Sequence, residues 1–362
     1  MAGVIDADTH VIESVGMWDL MDEAMKPRRP VVIKTPTNTS YGTTNAMWLI
    51  DGNIYPRPGG KGGFFVATPS AQERQQARTD ISIPSREMTD LRPRIKDMDD
   101  LNIATQIVYP TLFLVFNTKD AVLEKALCHA YNQWMAKVCA ESGGRIRYVA
   151  ILPLHDMNAA LEEVHFAKVS GAVGIFLRGI EDEYSLADPF FFPLYEEISK
   201  VKLPICIHTG AGCPAFTSVV NVTISSTLPQ VRMLPLMAFR DIVANRIPEK
   251  FPDLRWGFIE AASSWVPYIL HALKRLLVER AHEYTPDLFK EYNLFVACEA
   301  DEDIPYLLNY IDEDHLYIGS DYGHTDPSAE AQMVATLRGR EDMSQEVVDK
   351  ILIDNAKVFY DL

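Results

Sequence analysis

The chain has 362 residues, 48% of them hydrophobic, and 34 basic against 50 acidic residues give a formal net charge of −16 at pH 7. That length suits one large α/β barrel with insertions, or two ordinary domains, with ample apolar material for a core. The acidic balance, with no dense basic block, argues against nucleic acid or an anionic membrane as the main partner. Five scattered cysteines, odd in number and without C-x-x-C pairing, suggest neither a disulfide framework nor a cysteine-based zinc site. The opening residues lack the pattern of a signal peptide, and no stretch approaches the ~18 apolar residues of a membrane helix, so a soluble cytoplasmic protein is expected.

The first element is VIDADTH, residues 4–10, a short apolar run ending in acids and a histidine. Side chains two apart on a strand share a face, so Asp8 and His10 stand side by side as half of a metal site. A lone D-x-H is equally a strand end with a solvated Asp and a structural His, so the partners must come from downstream. Residues 26–90 are rich in Pro and Gly, show neither the helix nor the strand period for long, and read as an insertion after strand 1 lying over a barrel mouth.

Further strands are predicted at TQIVYP (105–110), RYVAILPL (147–154), AVGIFLRG (172–179), PICIHTG (204–210), RWGFIEAA (255–262), LFVACEAD (294–301) and LYIGSD (316–321). Between them lie amphipathic helical stretches, among them KDAVLEKALCHAYNQWMAKVCAES, NAALEEVHFAKVSG, FPLYEEISKV, WVPYILHALKRLLVERAHEY and IPYLLNYIDED. A second excursion at 211–250 contains the helical LPLMAFRDIVANRIPEKFP, and SQEVVDKILIDNAKVFYDL supplies the last helix. Eight strands each followed by a helix predict an α/β fold, a (β/α)8 TIM barrel, with 1–362 as one domain. A doubly wound sheet is the alternative, but its Gly-rich first turn is absent.

In such a barrel chemistry sits where the strands finish. Strand 1 offers Asp8 and His10, with Glu13 following. Strand 3 runs into His155, strand 4 into Arg178, strand 5 into His208, strand 6 ends at Glu260, strand 7 at Glu299, and strand 8 at Asp321 with His324 three later. Buried charges must be paired or must bind a cation, so this gathering points to a divalent metal. Arg178 at the mouth suits an anionic substrate. His129, His165, His271 and His282 fall in helical stretches, where packing or solvent explains them.

Six ordered segments carry a family pattern: IDADTHVIE, KDMDDLNIATQIVYPTL, AYNQW, KFPDLRWGFIEAASSW, LYIGSDYGHTD and ILIDNAKVFYDL. Together they resemble the amidohydrolase-2 group of the amidohydrolase superfamily, which includes decarboxylases related to aminocarboxymuconate semialdehyde decarboxylase and γ-resorcylate decarboxylase. The resemblance implies a divalent metal held by Asp8, His10, His208 and Asp321; Glu13, which follows strand 1, is an additional ligand candidate from the residues themselves. It also implies hydrolysis or non-oxidative decarboxylation of a small carboxylated or cyclic substrate, with Glu260 or His324 moving the proton and Arg178 holding an anionic group.

Two departures stand out: Glu260 occupies the strand-6 position where those decarboxylases carry a histidine, and Asp8 stands where many relatives have a second histidine. Oxygen ligands shift the preference from Zn toward Mn, Fe or Mg. Glu13, Glu260 and His324 add enough donors for a second metal, a pattern that resembles dinuclear non-haem iron or manganese–iron oxygenases on the same barrel. A third reading is an inactive structural partner of an active paralogue. A homo-oligomer, or a hetero-oligomer with a related chain, is expected.

Overall fold

The computed structural model describes residues 3–36, 38, 46–56, 61, 69, 81–221, 232–324 and 329–362. Eight parallel strands follow one another in chain order around a ring: β1 (Val4–Val11), β2 (Ile103–Pro110), β3 (Ile146–Ala150), β4 (Gly174–Arg178), β5 (Ile205–His208), β6 (Trp256–Ile259), β7 (Leu294–Cys298) and β8 (Leu316–Ile318). The ring closes between its first and last members. The His10 N–H donates to the Tyr322 carbonyl at 2.7 Å and the Asp321 N–H to the Asp8 carbonyl at 2.9 Å. Helices α1 (Leu91–Asp100), α2 (Ala121–Glu141), α3 (Met157–Val169), α4 (Phe192–Val201), α5 (Met233–Ala244) and α6 (Val266–Glu279) surround it. This is the (β/α)8 barrel, and its closure overturns the doubly wound alternative.

Local sequence explains where the helices begin. Asp90, Asp120 and Asp156 each accept hydrogen bonds from backbone N–H groups in the first turn of α1, α2 and α3, satisfying donors that a helix start otherwise leaves orphaned. The strands are shorter than the apolar runs suggested, ending before ILPL, before the second half of RWGFIEAA and before GSD. The chain turns there: Glu260 and Asp321 take left-handed φ values of 55° and 52°, which no ladder tolerates. IPYLLNYIDED yields only one helical turn, Ile304–Leu307.

Between β1 and β2 the described residues include an antiparallel sheet of Val31–Lys34, Ala46–Ile50 and Asn53–Tyr55. It is tied to the loop after β2: Tyr55 Oη donates to the Asn117 carbonyl at 2.9 Å, and Thr118 Oγ1 to Asp51 at 2.7 Å. Most of 57–80, and with it that part of the expected mouth cover, lies outside the described residues. So does 222–231 of the second excursion. Among the described residues no helix is long and apolar enough to cross a membrane.

The seam between β8 and β1 is held by buried charge. A register shift between Asp6 and Thr9 separates Asp6 from the Asp8–His10 pair. Asp6 instead accepts the Ser320 N–H at 2.8 Å and the Ser320 hydroxyl at 2.6 Å. Arg94, wholly buried on α1, donates to Gln106 at 2.7 Å, to the His10 carbonyl at 2.9 Å and to Thr9 Oγ1 at 3.0 Å, with Tyr322's ring 4.6 Å away. Removing the guanidinium leaves buried acceptors at Gln106 and the His10 carbonyl without their donor. Arg94→Met is expected to lower unfolding free energy by about 1 to 3 kcal/mol, read by denaturant titration. Gly319 packs so closely that a Cβ there would lie 2.2 Å from Asp8 Cβ. Gly319→Ala should therefore cost stability by overpacking, on the order of 1 to 3 kcal/mol in the same titration.

Candidate metal centre

Six side chains from both sides of the seam and from β5 and β6 converge at the mouth. Their donor atoms fall in two overlapping sets, Asp8, His10, His208 and Glu260, and His10, Glu260, Asp321 and His324, with the atoms of each set within 4.8 Å of one another. His208 Nε2 lies 3.3 Å from Asp8 Oδ1 and 3.2 Å from Glu260 Oε2. His10 Nε2 lies 3.5 Å from Asp8, 3.6 Å from Glu260 and 3.4 Å from Asp321. His324 Nδ1 lies 2.8 Å from Asp321 Oδ1.

The imidazoles are oriented from behind. His10 Nδ1 meets the Pro110 carbonyl at 3.0 Å and His208 Nδ1 the Thr209 carbonyl at 2.9 Å. Each carbonyl accepts the Nδ1 proton, which leaves Nε2 as the nitrogen aimed at the centre, the arrangement typical of metal-ligating histidine. His10 Nε2 is buried and makes no hydrogen bond among the described residues. Burial pushes the Asp8 carboxyl up, but the adjoining His208 and His10 more than reverse this and hold it below the usual carboxylate range. Burial likewise pushes His10 down, yet the Asp8 and Glu260 carboxylates raise it to about 10. The cluster thus demands positive charge, and the mixed imidazole and carboxylate donors fit a divalent transition metal.

The family model for amidohydrolases matches residues 5–362. The chain belongs to the amidohydrolase family. It is 24% identical over 148 residues to a γ-resorcylate decarboxylase of Polaromonas sp. (strain JS666 / ATCC BAA-500), a match covering 37% of this chain and 45% of that protein. Over 289 residues it is 21% identical to a 2-amino-3-carboxymuconate-6-semialdehyde decarboxylase of Dictyostelium discoideum, covering 75% of this chain and 76% of that one. Among solved structures, an amidohydrolase of Mycobacterium avium subsp. paratuberculosis K-10 superposes with a TM-score of 0.77 at 20% identity, covering 99% and 98% of the two chains. The 5-carboxyvanillate decarboxylase of Novosphingobium aromaticivorans, complexed with manganese and 4-hydroxy-3-methoxy-5-nitrobenzoic acid, superposes at 0.70 with 18% identity, covering 100% and 96%. At such identities the superpositions speak for the fold alone.

Within this amidohydrolase, the remaining residues expected at the mouth are placed apart from the six donors. Glu13 spends both carboxylate oxygens on the N–H groups of Thr111 (3.0 Å) and Leu112 (2.8 Å) and braces the loop after β2. Burial raises its pKa to about 7, against the pull of those backbone donors. Arg178 is half-committed before any substrate arrives: its Nε lies 3.0 Å from Glu181 Oε2, Nη2 contacts the same oxygen, and its backbone N–H donates to Oε1 at 2.5 Å. His155 meets Glu124 at 3.0 Å and Asp182 at 3.6 Å, and Glu299 meets Arg232 at 3.0 Å. Arg178 and His155 line a cavity of about 150 Å³ with Phe116, Leu154, Tyr184 and Phe190. An adjoining pocket is walled by Phe176, whose ring lies 5.9 Å from that of His208.

Sequence reading missed Glu302. Its buried carboxylate accepts the N–H groups of Ser263 (2.9 Å), Ser264 (2.6 Å) and Glu299 (2.9 Å) and both serine hydroxyls (2.8 and 2.5 Å). These bonds clamp the turn that presents Glu260, where Glu260 and Ala262 both have positive φ. An acid flanked by Asp301 and Asp303 gave no signal of this. Glu302→Gln turns one acceptor oxygen into an NH2 donor facing N–H groups and is expected to weaken Mn(II) binding 10- to 100-fold, on the scale of outer-shell changes at metal sites, in a calorimetric titration.

Proposed function

We propose that this amidohydrolase is a metal-dependent carboxy-lyase that removes CO2 without oxidation from a small carboxylated substrate. The observation that carries this reading is the convergence at the mouth of two overlapping donor sets, Asp8, His10, His208 and Glu260, and His10, Glu260, Asp321 and His324. Asp8, His10, His208 and Asp321 would hold a divalent ion, Mn(II), Zn(II) or Fe(II). When bound it would fix the substrate's carboxylate and withdraw electron density from the reacting carbon.

The chain's own groups do the rest. The cavity of about 150 Å³ lined by Phe116, Leu154, Tyr184 and Phe190 together with Arg178, which stands in register with His208 on the neighbouring strand, would receive and orient the substrate body. Glu260, buried 3.2 Å from His208 Nε2, would exchange a proton with the substrate carbon. As the bond to the carboxylate breaks, its electron pair stays on carbon and CO2 departs. The carbon then takes the proton from the Glu260 carboxyl, which is restored from solvent. Support comes from the decarboxylases among the relatives and from the fit of the donors. Because Arg178 is already engaged by Glu181, we assign it to shaping the cavity wall rather than to clamping an anion. Hydrolysis on the same centre would use the same ligands.

Chelator-treated protein is expected to lose turnover and to recover it with Mn(II), with CO2 release unchanged under anaerobic conditions in the chain purified alone. Asp321→Asn and His208→Ala should each cost activity by on the order of 100-fold or more, exceeding typical outer-shell effects. A requirement for O2 would shift the reading to an oxygenase. Inactivity alone but not with a co-purifying related chain would make it a structural partner.

A further inference from the structure

We propose that the last tyrosine of the chain, Tyr360, is a positioning residue of the metal centre: its hydroxyl, backed by that of Tyr109, pins the bulge in β1 that presents Asp8 and His10. This rests on the ion of the functional reading above. Along β1 the register pairs Asp6 with Gln106 and Thr9 with Val108, so Ala7 and Asp8 together face Ile107 alone. An extra residue of this kind re-aims the side chains around it and disrupts the ladder that would otherwise fix them. Asp8 stands in the bulge and His10 just past it, so the aim of two donors depends on what holds that stretch in place.

The hold comes from the other end of the chain. Tyr360 closes the helix Asn355–Tyr360, and its Oη donates to the Ala7 carbonyl at 3.0 Å. Tyr109 Oη lies 2.6 Å from Tyr360 Oη. Because the Tyr360 proton is spent on Ala7, Tyr109 is the donor of that pair. Tyr109 stands beside His10 in the ladder, and its ring lies 4.8 Å from that of His208. The two phenols thus touch both strands that carry the aspartate and the histidines, Tyr360 at the β1 bulge and Tyr109 against the β5 imidazole.

Packing alone does not account for the hydroxyls. Ala7, Tyr109 and Tyr360 are buried, and there a hydroxyl costs free energy unless it is bonded, whereas a phenyl ring fills nearly the same space without that cost. The closing helix also has other anchors. Gly257 pairs with Cys206, two residues before His208 on β5, so it faces the barrel interior. A Cβ there would lie 2.3 Å from the Phe359 ring, and its absence admits that ring to pack on Phe295 and Tyr317 at 5.2 and 5.3 Å. Asn355 Nδ2 donates to the carbonyls of Glu313 and Leu316 at 2.7 and 2.6 Å. With the helix seated by Phe359 and Asn355, the Tyr360 hydroxyl serves to aim β1. The competing reading is that the phenol pair only stabilises the closed barrel.

Two measurements on the full chain separate these readings: unfolding by denaturant, and Mn(II) binding by the folded protein, read by calorimetry and by the electron paramagnetic resonance spectrum of the bound ion. Tyr360→Phe removes the hydroxyl and keeps the ring. It is expected to weaken Mn(II) binding about 10-fold, the lower end of outer-shell effects, and to alter the spectrum. Tyr109→Phe keeps the ring on His208 and should weaken binding by a smaller factor. The double variant should bind no more weakly than Tyr360→Phe, because the two hydroxyls act in one run of hydrogen bonds. Asn355→Ala, on the same helix but bonded to the start of β8, should lower stability and leave Mn(II) affinity and spectrum unchanged. A Tyr360→Phe protein that loses stability alone, with affinity and spectrum unmoved, overturns the positioning role and leaves the functional reading standing. An equal loss of affinity in Asn355→Ala overturns it too, since any loosening of the helix would then suffice. No Mn(II) bound by the unaltered chain overturns both readings. Should Tyr360→Phe fail to fold, Tyr109→Phe decides, and unchanged Mn(II) binding there overturns the proposal.

Discussion

The closure of β8 onto β1 is the contact on which the rest depends. Two backbone hydrogen bonds, His10 to Tyr322 and Asp321 to Asp8, join residues more than 300 positions apart and set the spacing of three of the six donors. Backbone bonds of this kind are individually modest, so the seam is reinforced. Asp6 grips Ser320 from one side, and Arg94 reads the Thr9 hydroxyl and the His10 carbonyl from the other. Ring closure and site assembly are therefore one event. A chain that failed to close the barrel would hold Asp8 and His10 but not Asp321.

Closure also creates an electrostatic problem that only a cation solves. Asp8, Glu260 and Asp321 are nearly inaccessible and face two imidazoles, so without metal the centre recruits protons, with His10 raised to about 10. Metal binding must displace them, which couples affinity to pH: acid favours protons and higher pH favours the ion. The cost of assembling like charges is thus carried by the fold until an ion arrives. Arg178 is tied to Glu181 and Arg94 spends its guanidinium on Gln106, Thr9 and the His10 carbonyl, so neither relieves it.

Much of this is legible in the amino-acid sequence, and the reasons differ by residue. Asp8 and His10 announce themselves because strand alternation puts both on one face, and His208 and Asp321 because each follows a short apolar run that fits a barrel strand. Asp6 shows the limit of the same argument. Simple alternation would add it to the pair, but the register shift before Thr9 sends it to Ser320. Glu13 looked like a ligand by proximity along the chain, whereas its environment is two backbone N–H groups from a loop some hundred residues away. Arg178 stands where an anion clamp would stand, but its partner Glu181 arrives through the turn that follows. Glu302 and Arg94 carry no local pattern, since their significance comes entirely from which loops pack against them.

Glu260 and Asp321 share a further property that ties site to fold. Both leave their strands in the left-handed region, with φ of 55° and 52°, and Ala262 follows at 57°. For residues with a Cβ such a conformation costs about 1 to 2 kcal/mol each, and it persists only where surroundings dictate it. Here the surroundings can be named: Glu302 clamps Ser263 and Ser264 behind Glu260, and Asp6 holds Ser320 while the Asp8 carbonyl takes the Asp321 N–H. In each case a buried carboxylate outside the donor set accepts backbone N–H groups, and a carboxylate inside the set is thereby turned toward the centre. The two acids that make the mouth reactive are therefore aimed by two others whose own charges are spent on the backbone, which is why strain and function coincide at the ends of β6 and β8.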